Sequence, residues 1–149
     1  MASLPNEADR RILIVDDEAD VLDFLKIYLE SLGWRTTLAS STAEAFSHLE
    51  TASFFLILTD IAMPEMDGYE FISKLREKNI PSKVMLMTGF GYNPKHTLIK
   101  IYKSSKIPCL FKPFNRLKLS ESVQQMYEEY NKDIQNSTSG PSGPATPAA

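Results

Sequence analysis

The chain has 149 residues, 43% of them hydrophobic, and a formal net charge of −3. A chain of this length can bury one ordinary core but has no room for two full domains. Its longest apolar run, from Phe54 to Leu58, is five residues, whereas a membrane-spanning helix needs roughly 20, and its start lacks the basic and apolar segments of a secretory signal. These features predict one cytoplasmic domain, and the single cysteine, Cys109, excludes an internal disulfide.

Strands and helices alternate along the predicted chain. Ile12 to Val15 is a continuous apolar run rich in β-branched residues, which is typical of a strand covered on both faces. Apolar residues then recur at helical spacing from about Ala19 to Leu32, and Gly33 follows as a helix stop. The same patterns predict four more strands, at 35–39, 54–59, 84–87 and 109–111, and four more helices, at about 41–49, 69–78, 94–103 and 116–130.

The composition changes after Lys132. The remaining residues are rich in Ser, Gly, Pro, Thr and Ala and offer little to bury. We therefore expect a folded domain over residues 10–131 and a disordered tail or linker over residues 132–149. A native end, a shortened interdomain linker and an added segment all fit this composition.

The alternation of five strands with five helices predicts an α/β fold in which a doubly wound parallel sheet carries helices on both faces. Ligands of such sheets bind beyond the carboxyl ends of the strands, near the point where the strand order reverses. Polar residues stand at the ends of four of the predicted strands, and they are Asp16, Asp17, Asp60, Thr88 and Lys112.

These five residues suit a phosphoryl site. Three carboxylates held together repel one another and resist ionisation, and a hard cation such as Mg²⁺ relieves this repulsion and also binds phosphate oxygens. Lys112 adds a second positive charge and Thr88 a hydroxyl donor. A carboxylate can itself accept the phosphoryl group, but the spacing does not show which aspartate would do so.

At these residues the chain resembles the receiver domain of two-component response regulators. The resemblance covers about residues 10 to 131 and includes all the site positions of that family in order. It implies a CheY-like, flavodoxin-like (βα)₅ sheet with strand order 2-1-3-4-5. The matching pieces lie at 12–18, which ends with Glu18, and at 58–68, 87–89 and 111–114.

The resemblance also implies a role for each site residue. Asp16 and Asp17 would hold Mg²⁺, with Asp60 and the backbone carbonyl of Ala62 as further ligands. Asp60 would receive the phosphoryl group from a histidine kinase phosphohistidine, a phosphotransfer protein or a small phosphodonor.

The two remaining site residues would respond to the phosphoryl group. Lys112 would contact it, and the Lys112–Pro113 bond would be cis. Thr88 would move toward it and reshape the face built by the predicted helix at 94–103, the fifth strand and the last helix. A downstream protein partner would bind that face.

Three positions depart from the pattern of many receivers. Cys109 stands where many receivers have a Tyr or Phe that changes rotamer, so either Phe111 or Tyr102 would have to fill the space. The positions two residues after Asp60 and Thr88 are Ala62 and Phe90. Neither can orient an attacking water, so we expect slow self-dephosphorylation.

The function expected from these features is that of a signalling phosphoacceptor domain, which promotes only its own phosphorylation and dephosphorylation. A receiver fragment of a hybrid histidine kinase or larger regulator is the main alternative. An aspartate-nucleophile phosphatase would require a second acid at position 62, which is occupied by Ala62.

Nine of the sixteen basic residues lie between Lys78 and Lys118, where there is no acidic residue. A solvated basic face explains this stretch better than nucleic-acid binding, and membrane binding is not expected.

Overall fold

The computed structural model describes residues 10–61, 66, 68–89 and 107–139. The predicted helix at 94–103 and residues 140–149 lie outside these ranges. The described elements are β1 (Arg11–Val15), α1 (Ala19–Ser31), β2 (Arg35–Ala39), α2 (Thr42–Thr51), β3 (Leu56–Asp60), α3 (Gly68–Glu77), β4 (Lys83–Thr88), β5 (Cys109–Phe111) and α4 (Arg116–Ser139).

The five strands form one parallel sheet in the order β2-β1-β3-β4-β5, as predicted. The first crossover therefore runs outward from β1 to β2, and the next returns past β1 to β3. The strand order reverses between β1 and β3, where Val15 is level with Thr59. This register places the residues that follow Val15 beside Asp60, at the carboxyl edge of the sheet.

The core lies on both faces of the sheet. Ile12 and Ile14 point to one face and belong to a cluster that includes residues of α1 and α4. Leu13 and Val15 point to the opposite face and pack in a cluster with residues of α2 and α3. All four side chains are fully buried, so the unbroken apolar run of β1 follows from its burial on two faces.

Local contacts mark the start of α2 and the end of α1. The Glu44 amide donates a hydrogen bond to the Ser41 hydroxyl at the start of α2, while the Glu44 carboxylate accepts one from the Ser40 amide. Gly33, which follows Leu32, the C-cap of α1, has a φ of 98°, in the left-handed region.

The last helix is longer than predicted. The sequence pattern predicts that it ends near Tyr130 and that a tail begins at 132, but α4 continues to Ser139. Beyond Tyr130, Asp133 accepts a hydrogen bond from Lys83 of β4 at 2.6 Å, which connects this part of the helix to the sheet. None of the helices in the described ranges, α4 included, has the length and apolar character needed to cross a bilayer.

Candidate phosphoryl and metal site

Strand register brings three carboxylates together at the carboxyl edge. Asp16 follows β1, and its amide donates a hydrogen bond to the Ala39 carbonyl of β2. Asp60 is the last residue of β3 rather than the residue after it. Asp16, Asp17 and Asp60 each offer one carboxylate oxygen, and these oxygens lie within 4.8 Å of one another. The predicted acidic cluster is therefore present in the folded chain.

The segment after Asp60 is closed by a tight backbone contact. The Gly68 amide donates a hydrogen bond to the Ile61 carbonyl at 2.7 Å. A Cβ atom at Gly68 would lie 3.1 Å from the Ile61 Cα, so this position favours glycine. The contact returns the chain to the site edge at the start of α3. Ala62, predicted to offer a carbonyl to the metal, lies outside the described residues.

Lys112 joins the cluster from the loop after β5. Its ammonium donates hydrogen bonds to Asp16 Oδ2 at 2.7 Å, to Asp60 Oδ2 at 3.1 Å and to Glu18 Oε1 at 3.2 Å. The Lys112 amide also donates to the Thr88 carbonyl, and the bond between Lys112 and Pro113 is cis. The lysine therefore neutralises part of the acidic cluster.

Burial disfavours the charged forms of Asp16 and Lys112. Burial raises the pKa of the Asp16 carboxyl, and the nearby charge of Asp60 raises this pKa further. The hydrogen bonds of Asp16 with Lys112 and the Glu18 amide lower the pKa but do not cancel the effect of burial. Burial would lower the pKa of the Lys112 ammonium, but its bond to Asp16 and the charges of Asp60 and Asp16 raise it instead. In the described part of the chain, the carboxylates of the acidic cluster and of Glu18 lie near a single ammonium, and this excess of negative charge suits a hard divalent cation.

Thr88 supplies a buried hydroxyl at the end of β4. The residue is 1% exposed, and its Oγ1 has no hydrogen-bond partner among the described residues. A buried hydroxyl without a partner is destabilising, so Thr88 fits a site that offers it an oxygen acceptor. A phosphoryl oxygen bound at this edge would be such an acceptor.

Cys109 is a half-buried thiol on β5. Its side chain packs against the cluster formed by Ile61, Ile72 and Leu86. Burial, together with the charge of Asp60, raises the pKa of the Cys109 thiol to about 11, so it is protonated at neutral pH. Phe111 is 60% exposed and does not bury its ring beside this thiol.

Two predictions about neighbouring positions concern residues that the structure does not describe. Tyr102, the other candidate to fill the space beside Cys109, lies outside the described ranges. Phe90, one of the two residues from which slow self-dephosphorylation is expected, also lies outside them.

Glu18 has a contact that the sequence pattern does not predict. Glu18 lies in one of the sequence segments that carry the family resemblance, and the resemblance implies no contact partner for it. In the structure its carboxylate is a third partner of Lys112. The available signal is the run of three consecutive acids, of which Asp16 is buried while Asp17 and Glu18 are exposed. Which of the three meets the lysine depends on how the chain turns from β1 into α1.

The fold and the site together define a class of protein. It is a doubly wound α/β domain that carries a carboxylate cluster, a lysine and a buried threonine hydroxyl at the carboxyl edge of its sheet. Such an arrangement is suited to a divalent cation and a phosphoryl group.

The chain belongs to the response regulator receiver domain family, whose model matches residues 12–124. It is 34% identical over 117 residues to the response regulator receiver protein CpdR of Brucella abortus, which covers 78% of this chain and 96% of that protein. It is 32% identical to the sensor kinase/phosphatase CqsS of Vibrio cholerae, across 72% of this chain but 16% of that protein. The fold matches the crystal structure of a CheY-like receiver domain protein from Methanospirillum hungatei with a TM-score of 0.72 and 28% identity, over 83% of this chain and 98% of that one.

This membership settles the class of function. The chain is a phosphoacceptor receiver domain of two-component signal transduction, and such domains work with histidine kinases and effector domains. The match covers 96% of CpdR, but it covers 25% of the transcriptional regulatory protein ZraR of Klebsiella oxytoca and 16% of CqsS.

Proposed function

We propose that Asp60 is the residue that accepts the phosphoryl group. The observation that carries this assignment is the sheet order, because β3 lies between β1 and β4. A group attached to Asp60 therefore has the carboxylates of Asp16 and Asp17 on one side and the hydroxyl of Thr88 on the other. Lys112 already contacts the Asp60 carboxylate.

The chemistry is a direct displacement at phosphorus. A carboxylate oxygen of Asp60 attacks the phosphorus atom and forms an acyl phosphate. The P–N bond of a phosphohistidine, or the P–O bond of a small acyl phosphate, breaks, and the leaving group keeps the electron pair. The Lys112 ammonium and the Thr88 hydroxyl donate to the phosphoryl oxygens, whose charge must be stabilised during transfer.

Asp16, Asp17, Asp60 and the carbonyl of Ala62 are the proposed ligands of Mg²⁺. The convergence of three carboxylate oxygens supports this assignment, as does the raised pKa of Asp16. When bound, Mg²⁺ supplies positive charge that offsets the charge of the phosphoryl oxygens.

Phosphotransfer from acetyl phosphate or a histidine kinase to the wild type and to Asp60→Asn tests the acceptor assignment. We expect labelling of the wild type only, and base or hydroxylamine should release the label, because it is an acyl phosphate. Asp23→Asn is the matched control, because it makes the same chemical change at an exposed position of α1 and should label normally. Equal labelling of the wild type and Asp60→Asn would show that another residue accepts the phosphoryl group.

The proposed output is a switch in the face that includes β5 and α4, acting on a protein partner in the cytoplasm. Phe111 of β5 and Leu117 of α4 are 60% and 68% exposed, so both elements offer apolar contacts. Acetyl phosphate with Mg²⁺ should shift the amide NMR resonances of these residues in the wild type and leave them unchanged in Asp60→Asn. Unchanged resonances in a phosphorylated wild type would place the output elsewhere. The match to part of CqsS favours a piece of a hybrid kinase as the second candidate.

A further inference from the structure

The start of α1 has an unusual capping residue. Glu18 is the N-cap, with extended backbone angles of −97° and 114°, but its side chain makes no capping hydrogen bond. Short side chains such as Ser, Thr, Asp and Asn are preferred at this position because their oxygens reach the free amides of the first turn. The Glu18 carboxylate instead contacts the Lys112 ammonium, 94 positions away along the chain, at 3.2 Å.

The three carboxylate partners of Lys112 are not equivalent. Asp16 and Asp60 belong to the group of converging oxygens that would hold a cation, whereas Glu18 does not. An ammonium has three donors, and each of them has one carboxylate partner here. When Asp16 and Asp60 are engaged by a cation or a phosphoryl group, Glu18 is the partner that remains.

We infer that Glu18 is a positioning residue for phosphoryl transfer, an assignment that rests on the proposed role of Asp60. Its carboxylate holds the Lys112 ammonium at the open side of the site, within reach of a phosphoryl oxygen on Asp60. Lysine has a flexible four-carbon side chain that a single contact can restrain. The Lys112 side chain is 12% exposed and that of Glu18 is 62% exposed, so Glu18 approaches the lysine from the solvent side.

The backbone of Glu18 makes a contact that is separate from that of its side chain. Its amide donates a hydrogen bond to Asp16 Oδ1 at 2.9 Å, and this bond does not depend on the side chain. Substitutions at Glu18 therefore leave the hydrogen bond to Asp16 in place and alter only the side-chain contact with Lys112. Glu18→Gln removes the charge, and Glu18→Asp keeps the charge but shortens the side chain by one methylene.

The test measures the rate of labelling of Asp60 by acetyl phosphate at saturating donor and Mg²⁺. Glu18→Gln and Glu18→Asp should each lower this rate about two- to fivefold, the range that an exposed ion pair supports. Asp23→Asn removes a charge from the same helix and should leave the rate unchanged. In a Lys112→Met background, Glu18→Gln should have no further effect, because its action passes through the lysine.

Thermal unfolding without Mg²⁺ separates positioning from a structural role. Asp is a preferred N-cap residue, so Glu18→Asp should keep or raise the melting temperature while it slows labelling. A parallel fall of both quantities, or labelling of Glu18→Gln at or above the wild-type rate, would overturn the inference. If labelling requires Asp60 but does not change when Glu18 is substituted, only this inference is refuted. If labelling does not require Asp60, the proposed function itself is refuted.

Discussion

Binding of Mg²⁺ should stabilise the fold through the acidic cluster. Asp16, Asp17 and Asp60 bring three carboxylates together, and among the described residues the Lys112 ammonium contacts two of them, Asp16 and Asp60. Two like unit charges at the 4.8 Å upper limit of this cluster repel by about 3.5 kcal/mol at an effective dielectric constant of about 20. The exposure of Asp17 reduces its share of this repulsion.

The size of the expected shift follows from linkage. A ligand at ten times its dissociation constant stabilises the native state by about 1.4 kcal/mol. For a cooperative unit of about 120 residues, this free energy corresponds to a rise in melting temperature of about 5 °C. Asp17→Asn should abolish the shift, because it removes one of the three converging carboxylates without opening a cavity in the core.

Thermal unfolding followed by circular dichroism, with Mg²⁺ titrated at constant ionic strength, measures this effect. Asp23→Asn is the control, since it lowers the net negative charge of α1 away from the cluster and should retain the full shift. A wild type whose melting temperature does not respond to Mg²⁺ would refute the metal site. A shift that survives in Asp17→Asn would show that the ion binds elsewhere.

Three further predictions concern other parts of the molecule. Because Ala62 and Phe90 cannot orient a water, the phosphorylated protein should decay over minutes or longer in Mg²⁺, and a half-life of seconds would contradict this. Because the pKa of Cys109 is about 11, iodoacetamide should modify the folded protein slowly at pH 7.5 and faster as the pH rises, whereas rapid alkylation at neutral pH would mean an accessible thiolate. Ile14→Ala in the core should lower the free energy of unfolding by about 2–5 kcal/mol in urea titrations, whereas Ile27→Ala, at a side chain that is 71% exposed, should change it by about 0.5 kcal/mol or less.

The sheet could be predicted because its pattern is local. Strands buried on both faces must be apolar along their whole length, and Ile12 to Val15 shows this directly. Helix starts such as Ser41 are also local, since a cap and its partner lie three residues apart. The end of α4 was not predictable in this way, because the ion pair between Lys83 and Asp133 joins residues 50 positions apart.

The acidic cluster of Asp16, Asp17 and Asp60 could be predicted from the sequence, but its contacts could not. A parallel topology requires the ends of β1, β3 and β4 to meet at one edge, so the strand pattern alone is enough to group Asp16, Asp60 and Thr88. The partner of Glu18 could not be predicted, because the direction of the Glu18 side chain at the turn into α1 depends on backbone angles that the sequence does not specify.

The sequence alone determined the doubly wound sheet and the identity of the polar residues at its carboxyl edge, since burial on two faces and short crossovers leave few alternatives. The tertiary structure decided how those residues share their charges. Burial raised the pKa of Asp16, the loop after β5 carried Lys112 to three carboxylates, and Thr88 was buried without a partner among the described residues. These properties arise from distances between segments that are remote in the chain, and electrostatic interactions depend on such distances and on burial.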